Sequence, residues 1–273
     1  MTKYNQLVIA FKMERGSIRL PSQSQRIERV SPGEERSKRQ ERAHRILDAA
    51  GELVQRWGYK KTTIDDIAKQ AKVAKGTIYL HWKNREDLFV ALFLREALDA
   101  GDEILERMEN DPEGFLLHNL TKHSIYVTMN RPLLKALYLG DIEMLGELLH
   151  SDHPVLSALL QQKSGFSEEF IELLRNKGIM RTDSSVHMQM YTYTAIFMGF
   201  LTVERYLPED LLQQYAISPE ESVEELAETI RRTLGPDEPV PASALQEFKL
   251  TFTQFYRQYM ALIKEQLQKE MGL

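Results

Sequence analysis

The chain has 273 residues, enough for one large or two modest domains with cores of their own. It has no cysteine, which excludes a disulfide framework, a thiol nucleophile and a thiolate metal site. Its net charge of -5 conceals an asymmetry: residues 1–85 carry 19 Lys and Arg against 9 Asp and Glu, and the remainder carries 16 against 31. A polyanion partner is therefore expected at one end only, with chance clustering on a solvated surface as the alternative. No apolar run approaches the ~20 residues of a membrane helix. Leu7 to Phe11 is too short for a signal-peptide core, so a cytoplasmic protein without a membrane partner is expected.

Residues 1–33 hold six basic and two acidic side chains, with Pro21, Pro32 and Gly33 and little periodicity. They are expected to form a flexible basic arm. From Glu34 the pattern is helical. Ile46, Ala50, Leu53 and Trp57 make one apolar stripe, which Gly58 ends. Thr62 or Thr63 is placed to cap a short second helix whose first turn holds Asp65 and Asp66. A third helix is predicted over 74–80. Asn84 then caps a long fourth one, with Glu86 and Asp87 in its first turn. Further helices are predicted over 113–130, 132–150, 153–176, 184–206, 219–234 and 242–271, with breaks at Pro or Gly. Nothing alternates like a strand, so the fold class is all-α. The predicted organisation is the arm (1–33), a helix-turn-helix domain (34–85) and a larger helical domain (86–273).

The stretch from Thr62 to Trp82 has helix-turn-helix spacing: two short helices about three residues apart, with Ala68, Val73 and Ile78 filling the angle between them. Its second helix would enter the major groove of double-stranded DNA. Gly76 would let the backbone approach. Thr77 suits base edges and thymine methyls. Lys75, Lys83, Tyr79 and His81 would reach phosphates, and Thr63 sits beside free amides at a helix start.

Here the sequence resembles a known family. Residues 41–101 are similar to the DNA-binding domain of TetR-type transcriptional regulators. The resemblance is carried by Arg45-Ile46-Leu47-Asp48-Ala49-Ala50, Leu53, Gly58-Tyr59, Thr62-Thr63, Ile67-Ala68, Val73, Lys75-Gly76-Thr77-Ile78-Tyr79, His81-Trp82-Lys83-Asn84 and Glu86-Asp87-Leu88. It implies DNA contacts at Thr63, Lys75, Thr77, Tyr79, His81 and Lys83. Two positions depart from the family pattern: Lys72 stands where the inter-helix turn often has Gly, and Ala74 where a Ser usually caps the recognition helix.

The resemblance also implies a ligand cavity in the second domain and a two-fold dimer. Candidates to line a mostly apolar pocket are His123, Tyr126, Met129, Tyr138, Met144, Tyr193 and Phe197, although such residues equally build ordinary core. For the homodimer, Leu245, Phe248, Phe252, Phe255, Tyr259 and Leu262 form a heptad seam. Met188, Tyr191 and Met198 lie on a second apolar helix, with Gly199 beside them. The seven histidines show no metal-ligand spacing, so no metal and no cofactor are expected. The expected function is a non-enzymatic, ligand-responsive repressor: a dimer that binds a palindromic operator and is released by a small, largely apolar effector. An enzyme with an accessory DNA-binding part and a non-specific architectural DNA binder are the alternatives.

Overall fold

The computed structural model describes residues 32–155 and 168–272. Apart from residues 32 and 33, the predicted arm lies outside them. Helix α1 (Pro32–Lys61) loses helical geometry at Gly58, with φ 75° and ψ 164°. A Cβ there would stand 2.9 Å from the Glu143 carbonyl oxygen, so glycine is needed for both conformation and space. Trp57, expected on the buried stripe, is exposed in this last turn. Thr62 is fully buried and donates its hydroxyl to the Gly58 carbonyl at 2.9 Å, which turns the chain towards α2 (Ile64–Gln70). Then follow α3 (Lys75–Tyr79) and α4 (Arg85–Asn110). Asn84 caps α4 as predicted, accepting from the Asp87 amide at 2.8 Å.

Beyond α4 comes α5 (Leu117–Met129). The single helix expected over 132–150 is instead three pieces: α6 (Pro132–Leu139), α7 (Ile142–Leu145) and a 3-10 turn (Gly146–His150). Gly140 and Gly146 both adopt positive φ, and Asp141 caps the new start at Met144. Helix α8 (Glu168–Asn176) is the described part of the predicted 153–176 segment, most of whose beginning lies outside the described residues. Next come α9 (Val186–Thr202), the unforeseen short α10 (Glu209–Tyr215), α11 (Pro219–Leu234) and α12 (Ala242–Glu270). The described residues contain no strand, so the fold is all-α.

Two main cores organise these helices. The first gathers Ile46, Leu47, Ile67, Ile78, Trp82, Leu88 and Phe89 from α1 to α4. It also takes Leu133 and Leu137 of α6, Leu145, Leu148, and Ile263, Leu267 and Met271 at the end of α12. The second joins Leu105 and Met108 of α4 to Phe115, Ile171, Leu174, Tyr193, Phe197, Leu226, Ile230, Phe248 and Phe252. Helices α4 and α12 run through both. They lie close at Gly101, whose carbonyl accepts the Tyr256 hydroxyl at 3.2 Å, while the end of Met260 fills the space a side chain would need. The described residues from Arg36 onward form one compact unit.

The Gly58 geometry is testable. Gly58→Ala forces a side chain into a region of φ/ψ that only glycine occupies freely, and against a backbone oxygen. It should cost about 1–3 kcal/mol in urea unfolding at fixed protein concentration. An unchanged midpoint would show that the turn at Gly58 relaxes freely.

Candidate nucleic-acid interface

The turn between α2 and α3 closes as a Schellman motif. The Val73 amide donates to the Ala68 carbonyl at 3.0 Å and the Lys72 amide to Lys69 at 3.2 Å. This requires a left-handed residue at position 72, and Lys72 adopts φ 55°. A side chain in that region costs roughly 1–2 kcal/mol relative to ordinary helix. Arg45 supports the turn by donating Nε–H to the Ala71 carbonyl at 3.1 Å. Ala74 stands at the N-cap of α3 and offers no side-chain hydrogen bond, as the sequence indicated. Thr63 caps α2 through a capping box with Asp66.

The predicted contact residues fall into two groups. Thr63, Lys75, Gly76, Tyr79 and Lys83 are exposed, and Thr77 is half-buried. Gly76 has open space where a side chain would project, so nothing inside the chain demands glycine there. Lys75 pairs with Asp65 at 2.8 Å; this contact raises its pKa. The pair is open to solvent, so its net attraction is small and Lys75 remains exchangeable to another anion.

His81 departs from the expectation. It is only 7% exposed, and its Nδ1–H donates to the Met271 carbonyl at 3.3 Å. The carbonyl only accepts, which fixes the proton on Nδ1. Burial holds the imidazole below its ordinary pKa; Arg39 and Arg42 push the same way and the Met271 carbonyl opposes them. Trp82 beside it is core. Three arginines of the basic first 85 residues, Arg39, Arg45 and Arg85, and Arg95 beyond them donate to main-chain carbonyls. Arg39 bonds Leu80, Arg45 bonds Ala71, Arg85 bonds Tyr59 and Thr62, and Arg95 bonds His44. Lys69, Lys72, Lys75 and Lys83 are exposed.

In the second domain the candidate pocket residues separate. Met129, Tyr138, Tyr193 and Phe197 share the second core, with Tyr193 and Phe197 stacked at 5.7 Å. Thr121 spends its proton on the Leu117 carbonyl, so Tyr193 donates to Thr121 at 3.3 Å. Tyr126 lies instead beneath the Arg107 guanidinium, Met144 packs on the first core, and His123 donates Nε2–H to Asp111 at 2.9 Å. A cleft of 290 Å³ opens elsewhere, between His118, Ile230, Arg231 and the Gly235–Val240 loop. The candidate dimer residues separate too. Met188, Tyr191 (73% exposed), Met198 and Phe255 face outward. Phe252 is core against Phe115, Phe170 and Phe248. Tyr259 is half-buried, and burial pushes its phenol up to about 12.

A three-helix unit whose short α3 follows α2 across a tight turn and presents Lys75, Gly76 and Tyr79 to solvent is a helix-turn-helix. Residues 46–92 match the family model described as bacterial regulatory proteins, tetR family. The Bacillus subtilis fatty acid metabolism regulator protein is 46% identical over 66 residues, 24% of this chain and 32% of that one. The Shigella flexneri regulator AcrR is 31% identical over 115 residues, 40% of this chain and 53% of that one. The solved FadR of Bacillus halodurans, a fatty acid degradation regulator, aligns at 18% identity over 69% of this chain and 93% of its own, with a TM-score of 0.46. The likeness to the TetR family is thus confined to the helix-turn-helix segment. The first three curated relatives are matched over only 32% to 39% of their length.

The His81 contact sets a pH dependence. Its neutral form stabilises the fold above the ordinary imidazole value of 6.5, and that contribution is lost as pH falls through the lower folded-state value. The urea midpoint should drop between about pH 7.5 and 5.5, and drop less in His81→Gln. Equal drops in both proteins would mean that His81 does not contribute.

Proposed function

We propose that the chain is a transcriptional repressor that binds a two-fold operator as a homodimer and is released by a small, largely apolar effector. The observation that carries this is the exposure of Gly76, Tyr79 and Lys83 on or beside one short helix held by a helix-turn-helix turn. Gly76 and Thr77 would meet base edges, while Thr63, Lys75, Tyr79 and Lys83 would meet phosphates. His81 leaves the contact set because it is occupied inside the chain. Repression is the direction that the family resemblance suggests.

Dimerisation is supported by the outward face of α9, where Met188, Tyr191, Ala195 and Met198 are exposed around Gly199. A two-fold partner would cover such an apolar face and place two recognition helices roughly 34–36 Å apart. For the effector, Met129, Tyr138, Tyr193 and Phe197 offer an aromatic site with one polar anchor. The names of the fatty acid regulators lend little here, since the curated match lies in the DNA-binding segment.

Two experiments test this. Selection of bound genomic fragments should yield one palindromic site, preferred by about 10³ or more over random DNA. In Lys83→Ala, affinity for it should fall and the salt slope should lessen by about 0.9, one phosphate contact. Selection without sequence preference would favour the architectural alternative. Separately, Tyr191→Glu should turn a dimer into a monomer in sedimentation velocity; an unchanged dimer would move the interface away from α9.

A further inference from the structure

We propose that the end of α12 is a latch that positions the recognition helix, giving the second core a route to the DNA-reading surface separate from α4. This rests on α3 being the DNA-reading helix.

Three observations carry it. First, α12 is one helix of 29 residues that belongs to both cores. Phe248 and Phe252 lie in the second, and Ile263 and Leu267, followed by Met271, lie in the first. Second, the latch grips the exit of α3. The His81 and Trp82 amides donate to the Ile78 carbonyl at 2.9 and 3.0 Å, so His81 is locked to the helix it follows. Its ring then donates to Met271, whose own side chain is 1% exposed. Arg39 also donates to the Leu80 carbonyl, at 3.1 Å. Third, α12 is fastened along α4, by Tyr256 on the Gly101 carbonyl and by Arg257 on Glu109 at 3.2 Å. A slide of α12 by one residue is about 1.5 Å, more than the 3.3 Å contact to His81 tolerates. Repacking around Phe248 and Phe252 that moved α12 would thus release or pull the exit of α3. His81 is a positioning residue in this scheme, not a phosphate contact.

The test compares the intact chain with a chain stopped after Glu270, with Met271→Ala, and with Met271→Leu as the conservative control. The readouts are affinity for the selected DNA fragment, its salt slope, and amide exchange over residues 75–82. The stopped chain should bind about tenfold more weakly, within the usual range of coupling between sites. Its salt slope should be unchanged, the His81 and Trp82 amides should exchange faster, and Met271→Leu should match the intact chain. Affinity within about twofold of the intact chain would show the latch to be idle, since even weak coupling is larger than that. Tighter binding with a slope steeper by about 0.9 would mean that the end of α12 merely hides His81 from a phosphate. If the stopped chain does not fold, Met271→Ala, which keeps the accepting carbonyl but removes the buried side chain that seats it, should show the same direction of change, and affinity and exchange equal to the intact chain overturn the latch. If the intact chain selects no DNA, the reading of α3 fails; the exchange comparison, which uses no DNA, then decides the latch, and unchanged rates overturn it.

Discussion

Two helices of seven and five residues cannot bury a core by themselves. The packing of the helix-turn-helix end follows from that shortage. Ile67 and Ile78, the apolar anchors of the two short helices, are fully buried, but only because other elements cover them. Helix α1 supplies Ile46, Leu47 and Ala50, and α4 supplies Leu88, Phe89 and Leu92. The rest comes from far along the chain: Leu133, Leu145, Leu148, Ile263, Leu267 and Met271. At roughly 1.5–3 kcal/mol for each large apolar side chain buried, this borrowed set matters as much as the local one. The helix-turn-helix unit and the helices beyond it therefore share a core, and a change of packing in one is felt in the other.

The same shortage governs the charges. A turn held by backbone alone needs its carbonyls satisfied, and arginine does this from a distance with a fixed fork of donors. Arg39, Arg45, Arg85 and Arg95 each bond at least one main-chain carbonyl, and Arg85 also covers the Tyr59 ring at 4.0 Å. The exposed lysines keep their charge for solvent or a partner. Within the basic excess of the first 85 residues, Arg39, Arg45 and Arg85 help to build the motif, and the exposed Lys69, Lys72 and Lys83 supply the field around it.

What was legible in the sequence was local. Helix stops and caps at Gly58, Thr63 and Asn84 follow from backbone geometry that a few neighbouring residues determine. So do the strained Lys72 and the uncapped Ala74. What was not legible depended on long-range burial. The heptad seam of α12 is real as a spacing, but periodicity does not say what a stripe faces. Phe252 packs inside the chain while Phe255, three residues on, faces out. His81 looked like a surface donor because nothing nearby in sequence covers it; its partner lies 190 residues away. The helix expected over 132–150 breaks because Gly140 and Gly146 take left-handed or otherwise positive φ, a signal that was present and overridden by the apolar pattern around it. Among the pocket candidates, shared polarity grouped residues that the fold sends to different places.

A shared core also limits how the two domains communicate. Helix α4 is held at its first turn by the second domain, through Ser151 on Glu86 and His153 on Asp87 at 3.6 Å. It is held further along by Tyr256 and Arg257 of α12. Were α4 the sole link, these ties would only make it stiffer. Because α12 also ends in the first core, the two helices form a frame with the recognition helix at one end and the aromatic cluster at the other. In such a frame no element moves alone: tilting α4 changes its register against α12, and that register sets where Met271 meets His81. Coupling spread over two rods and several contacts predicts modest loss from cutting any one of them, and non-additive loss from cutting neighbours that share a helix.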